Sequence, residues 1–168
     1  MNFLKSARLN SHDLSNICTT DFYTGTDVSF EELASRTLKR EQNRFASIEI
    51  NQQENAANFR ERLFELTHDE YDEEFLAPTE FAYQTMGKFL KRLSESFDRI
   101  LPIPRFTPDR EGGIRAEWEI RGRELRLVCP AKSDWKSYLY HEEGDSYDAE
   151  KDLKIETFIK WFNWLLDE

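Results

Sequence analysis

Glycine is scarce in this chain, with 6 among 168 residues. A phosphate cradle needs glycines that feed the N-terminus of a helix. Gly112-Gly113 leads into a strand pattern instead, and neither a Walker nor a GxGxxG spacing occurs. Cysteine is scarcer still. Cys18 and Cys129 stand far apart and neither sits in a CxxC pair, so the usual structural zinc set is missing. Cys129 ends an apolar alternation and reads as a small buried hydrophobe, whereas Cys18 lies in a polar segment. Asp145-Ser-Tyr-Asp148 lacks the ligand spacing of a calcium loop. The expectation is therefore no metal and no cofactor. The 3 histidines, His12, His68 and His141, each adjoin an acid. Neighbours on an extended strand face opposite ways, so His141-Glu142 is not a dyad by adjacency. No run approaches the ~18 apolar residues that span a bilayer. The opening MNFLKSARLNSHD has no continuous apolar core, which argues against a signal peptide and for a cytoplasmic protein.

Basic residues are the minority, 23 Lys plus Arg against 33 Asp plus Glu, for a formal charge of −10. Such a chain is repelled by phosphate backbones, which makes direct nucleic-acid binding a poor expectation. The acid gathers in two runs, Asp69, Glu70, Asp72, Glu73, Glu74 and then Glu142, Glu143, Asp145, Asp148, Glu150. Either run serves as a solvated face or as a surface that docks a basic partner.

What is plentiful is aromatic: 13 Phe, 4 Trp and 6 Tyr, enough for a core. Residues 1–28 show little periodicity, and Phe3, Leu14, Phe22 and Tyr23 punctuate a polar arm. Ser29 and Glu32 form a capping box ahead of Phe30, Leu33 and Leu38. Asn51-Gln52-Gln53 offers a point of interruption, after which Ala56, Phe59, Leu63 and Leu66 mark a second helix. Residues 67–78 read as a loop, and Pro78 opens a helix with Ala82, Met86, Phe89, Leu90, Leu93 and Phe97 on one face. Pro102 and Pro104 stop it. Ile114, Ala116, Trp118 and Ile120 then alternate with Arg115, Glu117, Glu119 and Arg121, the pattern of a half-buried strand. Arg121-Gly122-Arg123 is a short hairpin connection to Leu125, Leu127 and Cys129, and residues 135–141 fit a further strand. After an acidic turn Asp152 is placed to cap a last helix, whose Trp161, Phe162 and Leu165 are expected on Trp118 and Leu127.

The fold class expected is α+β: N-terminal helices, a three- or four-stranded antiparallel meander and a closing C-terminal helix. Residues 1–66 read as a helical extension or arm, and 67–168 as a compact domain. The segment 71–168 resembles a loosely defined group of small bacterial proteins. It does so through Tyr71-Asp72, Pro78-Thr79, Pro102-Ile103-Pro104, the acidic turn ending in Gly112-Gly113, and Glu117-Trp118. Glu73-Glu74-Phe75 departs from the small residues usual there, and the resemblance implies no reaction, cofactor or catalytic residue.

These readings lead to one expectation and two alternatives. The expectation is a non-catalytic, acidic, protein-binding accessory or regulatory subunit in a bacterial defence or toxin-neutralising setting. Phe3, Leu14, Phe22, Tyr23, Asp69, Glu70, Asp72, Glu73 and Glu74 would meet the partner, a protein with a basic surface, and no membrane would be involved. One alternative is a carboxylate enzyme working from Glu117 and Glu119 on the strand face. The other is a nucleic-acid module using Arg115, Arg121, Arg123 and Arg126.

Overall fold

Helix α1 (Phe30–Glu65) and helix α2 (Glu80–Ser96) precede five strands: β1 (Arg105–Pro108), β2 (Ile114–Ile120), β3 (Arg123–Cys129), β4 (Tyr138–Glu143) and β5 (Ser146–Glu150). Helix α3 (Ile155–Leu166) follows them. These elements come from a computed structural model, which describes residues 30–66 and 75–167. The strands form one antiparallel sheet in the order β1-β2-β3-β4-β5. The class is α+β, as expected, with five strands instead of three or four. No described helix is long and apolar enough to cross a membrane.

Two strands escaped the alternation pattern. β1 ends at Pro108, which is tolerated because the strand lies at the sheet edge. β5 occupies the stretch read as an acidic turn: Gly144-Asp145 is the turn, and Asp148 and Glu150 belong to a strand with almost no apolar residue. The β2–β3 hairpin falls where expected. Its central residues Arg121 and Gly122 have φ of 53° and 79°, the double positive φ that matches the twist of paired strands and suits glycine at the second position.

α1 is unbroken through Asn51-Gln52-Gln53, against the expected interruption. Its side-chain amides point away from their own backbone. Gln52 donates to the Glu95 carbonyl in the last turn of α2 at 3.0 Å, and Asn51 donates to the Asp98 carbonyl at 2.7 Å. Asn55, buried, donates to the Arg99 carbonyl and accepts from the Leu101 amide, both at 2.8 Å. Carbonyls at a helix C-terminus lack intrahelical donors, and Gln52 supplies one to Glu95, while Asn51 and Asn55 satisfy the segment that follows the helix.

Contacts divide the chain into two units, residues 1–38 and 39–168. The described part of the first is the opening of α1, where Arg36 pairs with Glu32 at 2.7 Å. In the second unit Asn55, Phe59 and Leu66, which precede the expected boundary at residue 67, are buried with α2 and the sheet.

Thr79 caps α2: its hydroxyl accepts from the Ala82 amide at 3.2 Å and donates to the Ala131 carbonyl at 2.8 Å. The Asp109 carboxylate accepts from the Gly113 amide at 2.7 Å, so close that a Cβ on Gly113 would lie 2.3 Å from it. Only glycine fits. α2 and α3 cover one face of the sheet, where Ala82, Met86, Phe89 and Leu93 meet Ile114, Ala116, Trp118, Leu125 and Leu127.

α3 closes this core through Phe158 and Phe162, which pack on the Trp118 ring at 5.9 and 5.3 Å between centroids. The indole N–H of Trp118 donates to the Pro102 carbonyl at 3.0 Å. Trp161 departs from expectation: it leaves the Trp118 cluster and stacks on His141 at 3.5 Å. The cap also differs. Lys154 occupies the N-cap position without a side-chain bond, while Asp152 sits at φ 55° and pairs with Lys136 at 3.6 Å. Replacing Trp118 by Ala should cost about 3–5 kcal/mol, the range for emptying a large aromatic site in a core. Chemical denaturation measures it, and a loss under about 1 kcal/mol would contradict this packing.

Candidate functional site

The helices leave the other sheet face uncovered among the described residues, and strand alternation decides what it displays. The register aligns Arg105, Glu117, Arg126, Tyr140 and Ala149 in one row across the five strands. A second row is Glu119, Glu124, Glu142 and Tyr147. Tyr138 lies beside Val128 on the same face.

Glu117 is the electrostatic hub of the first row. Its side chain is 11% exposed and is shared by three guanidiniums: Arg105, Arg126 at 2.8 Å and Arg115 at 3.9 Å. Burial pushes its carboxyl pKa up, but the Arg105 hydrogen bond and the three positive charges outweigh that, and the net shift is downward. A carboxylate held ionised this way has no proton to donate near neutrality. Glu117 and Glu119 do share a face, but Glu119 is exposed and Glu117 is consumed by its pairs. The acid–base role raised for this strand is unsupported by that geometry.

The arginines weighed for nucleic acid are largely engaged too. Arg126 also pairs with Glu124 and lies over the Tyr140 ring at 5.3 Å. Arg123 is on the helix-covered face. It donates to the Trp164 and Asp167 carbonyls at 2.6 and 2.9 Å, where a cation complements the negative C-terminal end of α3. It also pairs with Glu143 at 2.9 Å.

What stays available is the tyrosine-rich, acidic corner formed by β4 and β5. Tyr147 is 71% exposed and Tyr138 40%. Tyr140 stacks with Tyr147 at 6.1 Å and donates its hydroxyl to Glu142. That hydrogen bond, with burial, pushes the phenol up to about 12, so Tyr140 stays protonated. Residues 142–152 carry six acids, Glu142, Glu143, Asp145, Asp148, Glu150 and Asp152, against Lys151 alone.

Other candidates are structural. Burial pushes the Cys129 thiol up to about 12, which leaves it unreactive. Among the described residues no group of three or more His, Cys, Asp or Glu is gathered as a metal site requires. Phe3, Leu14, Phe22, Tyr23, His12 and Cys18 lie outside the described residues, as do His68, Asp69, Glu70, Asp72, Glu73 and Glu74. Sequence reading had marked the 142–150 acids but not the tyrosines beside them. Their alternation, Tyr138, Tyr140, Glu142, was the available signal. No family model, curated protein or solved structure matches the chain.

Two groups give opposite tests of charge. Glu117→Gln should destabilise the fold by about 1.5–3 kcal/mol, the range for hydrogen bonds to charged groups. Because its folded pKa is lowered, its contribution is present above the unfolded value and lost as pH falls through the folded one. The variant should therefore lose less stability on acidification than the parent; an equal loss in urea melts would contradict the hub. Burial against Trp161 lowers the His141 pKa from 6.5, partly offset by Asp148 and Glu150 and reinforced by Lys160. The unfolded chain then takes up the proton first, so stability should fall as pH drops below about 6.5. In His141→Phe that part of the pH dependence should vanish from thermal melts; its survival would assign it elsewhere.

Proposed function

We propose that the chain is a non-catalytic protein-binding module, an accessory or regulatory subunit, that docks a basic protein surface on the β4–β5 corner. The observation that supports this is the exposure of Tyr147 and Tyr138 on the outer face beside Glu142, at a hairpin whose turn and edge strand carry the exposed Asp145 and Asp148. Tyrosine gives a large contact area with a polar tip, and it is enriched where alanine substitutions weaken interfaces most. The surrounding carboxylates speed encounter with a positive partner and oppose nucleic acid. The run 69–74 adds five more carboxylates to the chain's acidic balance. On this reading the sheet splits its labour: the Glu117 row neutralises itself and stiffens the sheet, while the last hairpin, with Glu143 paired to Arg123, keeps the exposed charge of Asp145 and Asp148 for a partner.

The test begins with a stoichiometric complex purified from the native source and identified by mass spectrometry. Its affinity is then measured for the parent, for Tyr147→Ala and for Asp145→Asn/Asp148→Asn. Tyr147→Ala should weaken binding about tenfold or more, the scale of an interface anchor. The double variant should bind more slowly and show a shallower salt dependence. Unchanged affinity in both, with thermal melts intact, would remove this corner as the docking surface. Nucleic acid as the sole co-purifying species would remove the class.

A further inference from the structure

The two edges of the sheet are built unlike. Arg121-Gly122 and Gly144-Asp145 are two-residue turns, so the pairs flanking them, Ile120 with Arg123 and Glu143 with Ser146, exchange backbone hydrogen bonds. Such pairs recur at every second residue, and the residues between them turn their amide and carbonyl to the other side. On β1 the outward set is Phe106 and Pro108, preceded by Pro104. The Asp109 amide, which donates to the Gly113 carbonyl at 3.0 Å, fixes that count. Proline has no N–H, so of these positions only Phe106 offers a donor. On β5 the outward set is Tyr147 and Ala149, each with a donor and an acceptor, and no described strand lies beside them.

We infer that the β5 edge takes up a further strand, an extended basic segment of the partner protein; this rests on the docking role proposed for the β4–β5 corner and gives it a form. Charge selects the occupant. Side chains alternate, so Tyr147 and Ala149 lie on the outer face, while Asp148 and Glu150 lie on the other. An added strand sets its own alternate residues beside these: apolar ones along Tyr147 and over the small Ala149, cations beside Asp148 and Glu150. A second copy of this chain is the poorer occupant. Pairing β5 with β5 brings Asp148 and Glu150 of both copies to one face of the joint, like charge against like.

Asp148 makes the exchange selective. Its carboxylate accepts from the Ala149 amide at 2.7 Å, and so holds the donor that an added strand uses. In the free chain this bond blunts the edge against indiscriminate pairing. A segment with lysine or arginine beside Asp148 gives the carboxylate a cation and gives the amide a carbonyl, so every group displaced finds a new partner. A neutral or acidic segment satisfies the amide but leaves the carboxylate without one.

Hydrogen exchange read amide by amide on the full chain tests this, with a blocked peptide of alternating lysine and valine as the probe. The Tyr147 and Ala149 amides should slow about tenfold or more in its presence, and a glutamate–valine peptide should leave them unchanged. Ala149→Pro removes the outward donor without touching the ladder to β4, as Pro108 does on β1. Its Tm should hold while the peptide Kd rises at least about tenfold; should the variant unfold, the exchange rates of the parent still decide. Lysine–valine peptide that fails to bind, or binds while both amides exchange at the free rate, overturns the added strand. The acidic corner then stands or falls separately, on whether Tyr147→Ala weakens the native complex. Equal protection by both peptides overturns the basic occupant. Protection in the parent alone, at double the 20.0 kDa chain mass in light scattering, replaces the partner's segment with a second copy and overturns the inference.

Discussion

The contact on which the rest depends is Trp118 against Phe158 and Phe162. It joins the middle of the sheet to the last helix, with Phe89 of α2 edge-on to Phe158 at 5.6 Å and Phe97 edge-on to Phe162 at 5.6 Å. Aromatic pairs at such distances are worth roughly 0.5–1.5 kcal/mol beyond their buried area. Their geometric effect matters more here. With both helices fixed to one face, strand alternation leaves the opposite face to polar side chains. Glu117 and Trp118 are chain neighbours, yet one anchors the core and the other gathers arginines outside it.

That division explains why arginines clustered in sequence do not form a binding surface in space. Arg115, Arg123 and Arg126 lie close along one hairpin, but Arg123 faces the helices while Arg115 and Arg126 face out. The outward pair meets Glu117, held in place across the strands by the register. An exposed ion pair contributes little, but a carboxylate largely withdrawn from water and shared by several guanidiniums is worth more and leaves less charge to offer a ligand. The acid of the last hairpin is answered one group at a time: Glu143 pairs with Arg123 across β3 and β4, Glu142 accepts from the Tyr140 hydroxyl and Glu150 from the Trp161 indole.

Where local chemistry and tertiary packing agreed, the sequence was legible. The α2 face, the β2 and β3 alternation and the hairpin between them each depend on short-range periodicity or turn geometry. The misses share one cause, which is that long-range partners decide them. Asn51 and Gln52 look like helix interrupters until the end of α2 and the residues just after it present carbonyls for their amides. β5 carries polar and acidic residues because it is an edge, and it becomes a strand only because β4 offers a ladder. Trp161 has the apolarity of a core residue but sits on the α3 face that meets His141. Of the candidate site, the acid of residues 142–150 was visible and the tyrosines were not, since only the register brings Tyr147 beside Tyr140. The arm residues and the 69–74 acids lie outside the described residues, so the structure neither joins them to this corner nor separates them from it.

Helix α1 poses a separate physical question. Its side chains from residue 31 to 47 are all exposed, and its few ion pairs there include Arg36 with Glu32. Isolated helices shorter than ~12–15 residues are marginal in water, and i,i+4 pairs add only about 0.2–0.5 kcal/mol each. The C-terminal half escapes this limit because α2 covers it, with Glu95 of α2 accepting from Gln52 and Leu101 of the following segment donating to Asn55. That half acts as the nucleus, and each further turn toward the N-terminus then costs only propagation. The unbroken helix thus follows from the covered half. The apolar side chains of the other half do not: propagation along the backbone would be served as well by Ala, Glu or Lys at position 45. Phe there adds exposed apolar area without helping the helix.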